Sequence, residues 1–271
     1  MSELASESGS TARGDTADAL DRPELGRPEL VKLGLGDIPL ILMYHTVDDN
    51  RHDPNLVSVT PDQFAAQLGW LKRRGLRGVS MATLVAAMRA GRARGLVGIT
   101  FDDGYATVLG NALPELLRHG FSATVFIVAD RVGAANDWDA GTPWPLLSAA
   151  QIGELAAAGL EIGSHGATHT RLAGLAAGQL AAEISGSRQT LQRLSDAEIR
   201  GFAYPYGDID AATRQAVRDA GYDYACAVRA PRDSLGLLAL PRVYVGQRDG
   251  PARMAAKRLL FRRHIAPKGS H

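Results

Sequence analysis

The chain has 271 residues, of which 45% are apolar, 30 are Lys or Arg and 29 are Asp or Glu. That apolar share is enough for a sizeable core and excludes a wholly disordered chain, while a net charge of +1 gives no general case for binding nucleic acid. A single cysteine, Cys226, excludes an intrachain disulfide, and its place in the apolar run Tyr224-Ala225-Cys226-Ala227-Val228 predicts simple burial.

Residues 1–35 are rich in Ser, Glu, Asp, Gly and Pro and read as a flexible tail. They hold no apolar stretch of about 7–15 residues, as a secretory signal requires, and no transmembrane run occurs elsewhere. The expectation is a cytoplasmic protein.

From residue 38, short apolar runs alternate with helical stretches. The runs at 38–44, 96–101, 123–128, 160–164, 201–204, 222–228 and 242–245 are mostly apolar on both faces. This suits strands of a parallel sheet covered by helices. The first helix opens at Thr60-Pro61-Asp62-Gln63, a capping box with proline in the first turn, and ends near Gly75. Further helices are expected at about 81–90 and 105–119, the latter ending on His119, where a histidine favours the helix dipole. A second capping box, Ser148-Ala149-Ala150-Gln151, opens a helix that stops at Gly159, and two more follow at 176–194 and 210–220.

Between the third strand and that second box, the loop 131–145 carries Trp138 and Trp144. Either its indoles face a sugar ring or the loop folds back over them. The stretch 253–264 is basic and interleaved with Met, Leu and Phe. It fits a helix on an anionic membrane or, as the preferred reading, a helix packed on the rest with its charges in water. Repeated βα units predict an α/β barrel or a doubly wound sheet. The division expected is a tail at 1–35, one domain at 36–250 and a basic C-terminal helix at 251–271.

The chemistry collects at predicted strand ends. Thr100-Phe101-Asp102-Asp103-Gly104 closes the second strand. Adjacent strand residues point to opposite faces, so the two carboxylates share a site only if the chain turns, which Gly104 permits. Glycosidase chemistry needs carboxyl groups about 5–9 Å apart across a sugar. The adjacent pair fits better with one carboxylate on a metal and the other free as a base. His165 and His169 follow the fourth strand, four apart, and on a helical turn both rings would reach one ion. After the fifth strand comes Phe202-Ala203-Tyr204-Pro205-Tyr206-Gly207, where Pro205 shapes a turn that can aim the Tyr206 N–H as an oxyanion donor. His45 ends the first strand and suits general acid work.

The ordered set Thr100-Phe101-Asp102-Asp103-Gly104-Tyr105, Ser164-His165 through His169 and Tyr204-Pro205-Tyr206-Gly207 resembles the polysaccharide deacetylase (NodB-homology) family over roughly residues 38–248. Leu42-Met43-Tyr44-His45-Thr46-Val47 and Leu240-Pro241-Arg242-Val243 are similar to the permuted branch containing poly-N-acetylglucosamine deacetylases. The resemblance implies a single-domain distorted (β/α) barrel of about seven parallel strands that removes acetyl groups from N-acetylated sugars. It implies Asp103, His165 and His169 as metal ligands, Asp102 as general base and His45 as general acid. Ala203 stands where commoner members keep an arginine, so the resemblance gives Arg242 the task of orienting the base. Gly166 stands where a Ser or Thr is usual. Zinc is the first choice of metal, with cobalt, nickel or iron(II) also suited to such a face. Two other functions fit the same scaffold: a metallohydrolase of another amide or ester, and a carbohydrate-binding pseudoenzyme.

Overall fold

The computed structural model describes residues 38–49, 53–139, 141, 143–228 and 235–265. The tail expected at 1–35 lies outside the described residues. Eleven strands occur among the described residues: β1 (Ile41–Tyr44), β2 (Thr46–Val47), β3 (Ser58–Val59), β4 (Arg77–Val79), β5 (Leu96–Phe101), β6 (Thr124–Ile127), β7 (Glu161–Ser164), β8 (Gly201–Ala203), β9 (Tyr224–Ala227), β10 (Leu240–Pro241) and β11 (Val243–Tyr244). The main sheet runs β10-β9-β8-β7-β6-β5-β1-β11, with β4 also on β5, and every pairing is parallel.

The two ends of that order belong to one extended segment. Arg242, between β10 and β11, donates its backbone N–H to Ala227 O at 3.1 Å, and Val245 N–H reaches Met43 O at 2.8 Å. The segment therefore leaves β9 and joins β1, so eight parallel strands form a nearly closed barrel. Each of the seven expected runs contains a strand. The short β2, β3, β4 and β10 were not anticipated, since two or three residues carry no readable periodicity.

The helices are α1 (Pro61–Arg73), α2 (Met81–Arg89), α3 (Leu113–His119), α4 (Ala149–Ala157), α5 (Ala177–Ala181), α6 (Ser187–Ser195), α7 (Ala211–Asp219) and α8 (Pro251–Ile265). Both capping boxes form, at 3.2 Å each way for Thr60/Gln63 and at 3.3 and 2.9 Å for Ser148/Gln151. Wider π-helical turns at Val108–Ala112 and Ala182–Gly186 interrupt the helices expected at 105–119 and 176–194.

Alternation along the strands sorts the core into two parts. Leu42, Tyr44, Val97, Ile99, Phe101, Val125, Ile162 and Phe202 point outward against the helices. Ile41, Phe126, Ala203, Tyr224, Cys226 and Leu240 point inward, where Met81, Leu84, Val85 and Met88 of α2 join them. Cys226 is fully buried there. A filled interior leaves only the strand C-terminal ends open to carry chemistry. No helix among the described residues is long and apolar enough to cross a membrane.

Candidate active site

Residues two apart on a strand share a face. Counting on from inward Ile41, Gly98 and Glu161, the positions four further along are His45, Asp102 and His165. Two of them extend the parallel ladder, Asp102 N–H to Tyr44 O at 2.9 Å and His165 N–H to Ile127 O at 2.8 Å. Strand alternation alone thus turns three functional groups into the mouth.

Asp103 arrives by a turn. Its φ is 70° and that of Gly104 is 79°, so the left-handed bend starts one residue earlier than the glycine suggested. A Cβ at Gly104 would lie 2.9 Å from Ile127 Cδ1, so a side chain there would push that methyl aside as well as strain the turn. An aspartate in the left-handed region is costly but tolerable, and such positions gather at functional sites.

His169 is brought in differently from expectation. Residues 165–169 form a loop and not a helical turn, with Gly166 at φ 81° and His169 at φ 65° reversing the chain. Helical spacing is therefore not what pairs the imidazoles. The loop is held by Glu183, buried in the π-helical turn after α5. Its Oε2 accepts from Ala167 N–H at 2.9 Å and Thr168 N–H at 3.1 Å, and its Oε1 accepts from Thr168 Oγ1 at 2.5 Å. Gly166 packs so closely that a Cβ would sit 3.1 Å from Glu183 Oε2. The glycine thus fits the carboxylate that anchors the loop. Sequence reasoning missed Glu183, because a glutamate in a helical stretch looks like surface charge.

This anchor gives a test. Glu183→Ala leaves the buried Ala167 N–H and the partly buried Thr168 N–H unpaired and is expected to weaken metal binding by about 10–100-fold. Glu183→Gln can keep all three contacts, its amide oxygen toward the two N–H groups and its NH₂ toward Thr168, and should bind metal nearly as the parent does. Zinc titration against a competing chelator checks both, and equal affinity in the alanine variant would remove Glu183 from the site.

Asp103, His165 and His169 are buried, and one ligating atom from each lies within 4.8 Å of the others. His165 Nε2 is 3.4 Å and His169 Nε2 3.3 Å from Asp103 Oδ1, which has no hydrogen-bond partner among the described residues. His165 Nδ1 lies 2.8 Å from Ala203 O. A proton on Nδ1 directed at that carbonyl leaves the Nε2 lone pair facing Asp103. Acceptors converging on a buried point need a cation between them, so these three residues fit a divalent metal. Burial pushes the His165 pKa down, but Asp102 and Asp103 outweigh it and raise the pKa overall. Burial likewise opposes ionisation of Asp103, yet the two imidazoles beside its Oδ1, at 3.4 and 3.3 Å, hold its pKa well below the usual range.

Asp102 is spoken for by Arg242. The guanidinium grips it at 2.6 and 2.7 Å, touches Thr100 Oγ1 at 3.1 Å and lies over the Phe126 ring. Burial raises the Asp102 pKa, but the Arg242 charge more than offsets this and the net direction is downward. His45 sits on the same mouth, its Nδ1 buried without a hydrogen-bond partner among the described residues. Burial lowers its pKa against the pull of Asp103 and Asp102, so the ring is neutral at rest. Tyr206, at φ 59°, brings its ring 4.7 Å from His169, with the Arg171 guanidinium 4.2 Å over it and paired to Asp208. Trp138 stacks on His169 at 4.4 Å and Trp144 meets Tyr105 edge-on at 5.5 Å, so both indoles, half-buried, pack beside the mouth. All seven residues picked from the sequence lie around one mouth.

The sequence model of the polysaccharide deacetylase family matches residues 90–225, half the chain. The candidate polysaccharide deacetylase YxkH of Bacillus subtilis is 29% identical over 210 residues, 76% of this chain and 70% of its own. The poly-β-1,6-N-acetyl-D-glucosamine N-deacetylase of Staphylococcus epidermidis is 26% identical over 202 residues, 69% of this chain and 68% of that one. Among solved structures, IcaB from Ammonifex degensii superposes with a TM-score of 0.67 at 27% identity, covering 82% of this chain and 97% of that chain.

Proposed function

This chain belongs to the polysaccharide deacetylase family, and on that premise we propose that it is a metal-dependent N-deacetylase. Its substrate is a glycan or conjugate containing N-acetylglucosamine, and its products are acetate and a free amine. The observation that carries this reading is the buried Asp103–His165–His169 cluster beside a second carboxylate, Asp102, that Arg242 keeps ionised. A carbohydrate binder has no need of a base and an acid flanking such a cluster.

Asp103, His165 and His169 would hold zinc, the metal that best suits two imidazoles and a carboxylate. When bound, the metal supplies Lewis acidity to a water and to the acetamide carbonyl. Asp102 takes a proton from that water, and its low pKa means it is already charged at neutral pH. Arg242 fixes both of its oxygens, so the carboxylate cannot swing away from the mouth. The Tyr206 N–H is the donor for the oxyanion that develops on the carbonyl. His45, neutral at rest, must first take up a proton, which the neighbouring Asp103 and Asp102 charges favour, before it passes that proton to the departing amine.

The direct experiment is acetate release from N-acetylglucosamine, from its β-1,6- and β-1,4-linked oligomers and from small N-acetylglucosaminyl conjugates, using protein stripped of metal and reloaded with zinc or cobalt. Acetate formed only after reloading is the expected result, and the preferred chain length names the substrate class. Bound metal with no acetate from any of these would redirect the assignment to another acyl group. A second prediction concerns the acid. His45→Ala should lose about 10²-fold or more on an amide and far less on an aryl acetate, whose leaving group needs no proton. Equal losses on both would count against His45.

A further inference from the structure

The two imidazoles of the candidate metal cluster are held by different means. His165 has its Nδ1 on Ala203 O at 2.8 Å, the kind of outer hydrogen bond that orients almost every histidine on a metal. His169 Nδ1 is buried and has no hydrogen-bond partner among the described residues. Its ring is confined by aromatic neighbours instead. The Trp138 indole stacks on it at 4.4 Å between centroids and 28° between planes. Tyr206 and His165 meet it at steeper angles, 61° and 64°, from 4.7 and 5.0 Å. Trp138 thus supplies the one near-parallel stack on His169 among the described residues.

The segment that carries Trp138 is fastened at both ends to the turns that bear the ligands. As it leaves β6, Ala129 N–H donates to Gly166 O at 3.0 Å and Asp130 N–H to Ala167 O at 2.9 Å, between His165 and His169. As it returns toward α4, Leu147 N–H donates to Gly104 O at 2.8 Å and Ala106 N–H to Pro145 O at 3.0 Å, just after Asp103. Buried Asn136 adds a tie, accepting from Trp144 N–H at 2.5 Å and donating to Tyr105 Oη at 3.3 Å. The indole is therefore held in register with the ligands, whereas the last torsion of a histidine ring is soft unless something fixes it.

We propose that Trp138 is a positioning residue for the metal centre. Its indole takes the place of the outer hydrogen bond that His169 lacks and fixes the ring so that Nε2 faces Asp103 Oδ1, 3.3 Å away. The proposal rests on the ligand assignment of Asp103, His165 and His169 and not on the acyl group removed. The rival role for a half-buried indole at this mouth is a platform for the sugar. The two roles separate in what is measured without substrate.

The test is zinc affinity of the full chain, by competition with a chelator, together with the visible spectrum of the cobalt(II)-loaded protein. Trp138→Ala should bind zinc about 10–100-fold more weakly, the usual size of losing such support, and should alter the cobalt bands, which report ligand geometry. Trp138→Phe keeps a ring that can stack and should restore both. Trp138→Leu offers similar apolar cover without a ring plane and should fail as alanine does, so a difference between these two variants does not come from folding. Parent-like affinity and cobalt bands in Trp138→Ala would overturn the proposal, and a raised KM for the acetylated sugar in that variant would then make the indole a platform. Rescue by leucine as complete as that by phenylalanine would overturn it too, because filling space would suffice. A parent chain that takes up no zinc would overturn both this proposal and the ligand assignment, while a wrong acyl group leaves all these outcomes unchanged.

Discussion

Asp103→Ala is expected to purify without metal and to release no acetate. The two imidazoles converge on Asp103 Oδ1, and that oxygen has no other hydrogen-bond partner among the described residues. Removing it deletes the only negative charge among the three ligands. A structural zinc site is worth about 10–16 kcal/mol, so each of three protein ligands carries roughly 3–5, and losing one weakens binding roughly 10²–10⁴-fold. The backbone adds to the loss, since alanine tolerates φ 70° less well than aspartate does. Asp103→Asn separates the two causes, because asparagine accepts the left-handed turn but lacks the charge. The pH dependence follows from the raised His165 pKa. A proton bound there must leave before the metal enters, so affinity falls as pH drops through that pKa. Zinc content by mass spectrometry, with competition titrations across pH, checks both points. Stoichiometric zinc in purified Asp103→Ala would end this ligand assignment.

What could be read in advance follows the physics of each element. Strands buried on both faces announce themselves as apolar runs, and period-two alternation then fixes which way their ends point. His45, Asp102 and His165 were legible for that reason. The short β10 was not, because Leu240-Pro241 is too brief for a pattern and its pairing partner lies far away in sequence. Only the closed barrel explains why Arg242, at the junction of β10 and β11, faces Asp102 from 140 residues away. His169 was found for the wrong reason: spacing of four suggested a helix, whereas two left-handed residues and the Glu183 anchor set its position. Glu183 was illegible altogether, since its partners are backbone N–H groups that every loop possesses. The aromatic loop was ambiguous in sequence, and its Trp138 stacks on His169 at the mouth.

The Asp102–Arg242 pair should show the other large effect, and with an unusual sign. Asp102→Asn is expected to keep its metal yet lose turnover by about 10²–10⁴-fold, as befits loss of a general base. Arg242→Met fills a similar volume but leaves a buried carboxylate without its partner, at a cost of about 3–5 kcal/mol. The two proteins then respond to pH in opposite directions. In the parent, Asp102 is more acidic folded than unfolded. Its contribution to stability is therefore present above the unfolded pKa of about 3.9 and is lost as pH falls through the lower folded value. In Arg242→Met, only the His165 and His45 charges still oppose burial, and the folded pKa is expected to rise above the unfolded one. Ionised Asp102 now destabilises at neutral pH, and protonation relieves it, so stability should increase as pH falls from 7 toward the raised pKa. The acid limb of the pH–rate profile should move upward with it, since the base must be ionised to work. Urea midpoints of the metal-free proteins between about pH 4.5 and 7 read the first effect, and initial rates read the second. The double variant Asp102→Asn/Arg242→Met removes the stranded charge and should recover much of the lost stability, which a purely steric role for Arg242 would not allow. Parallel pH slopes for parent and Arg242→Met would show that the arginine does not set the charge state of the base.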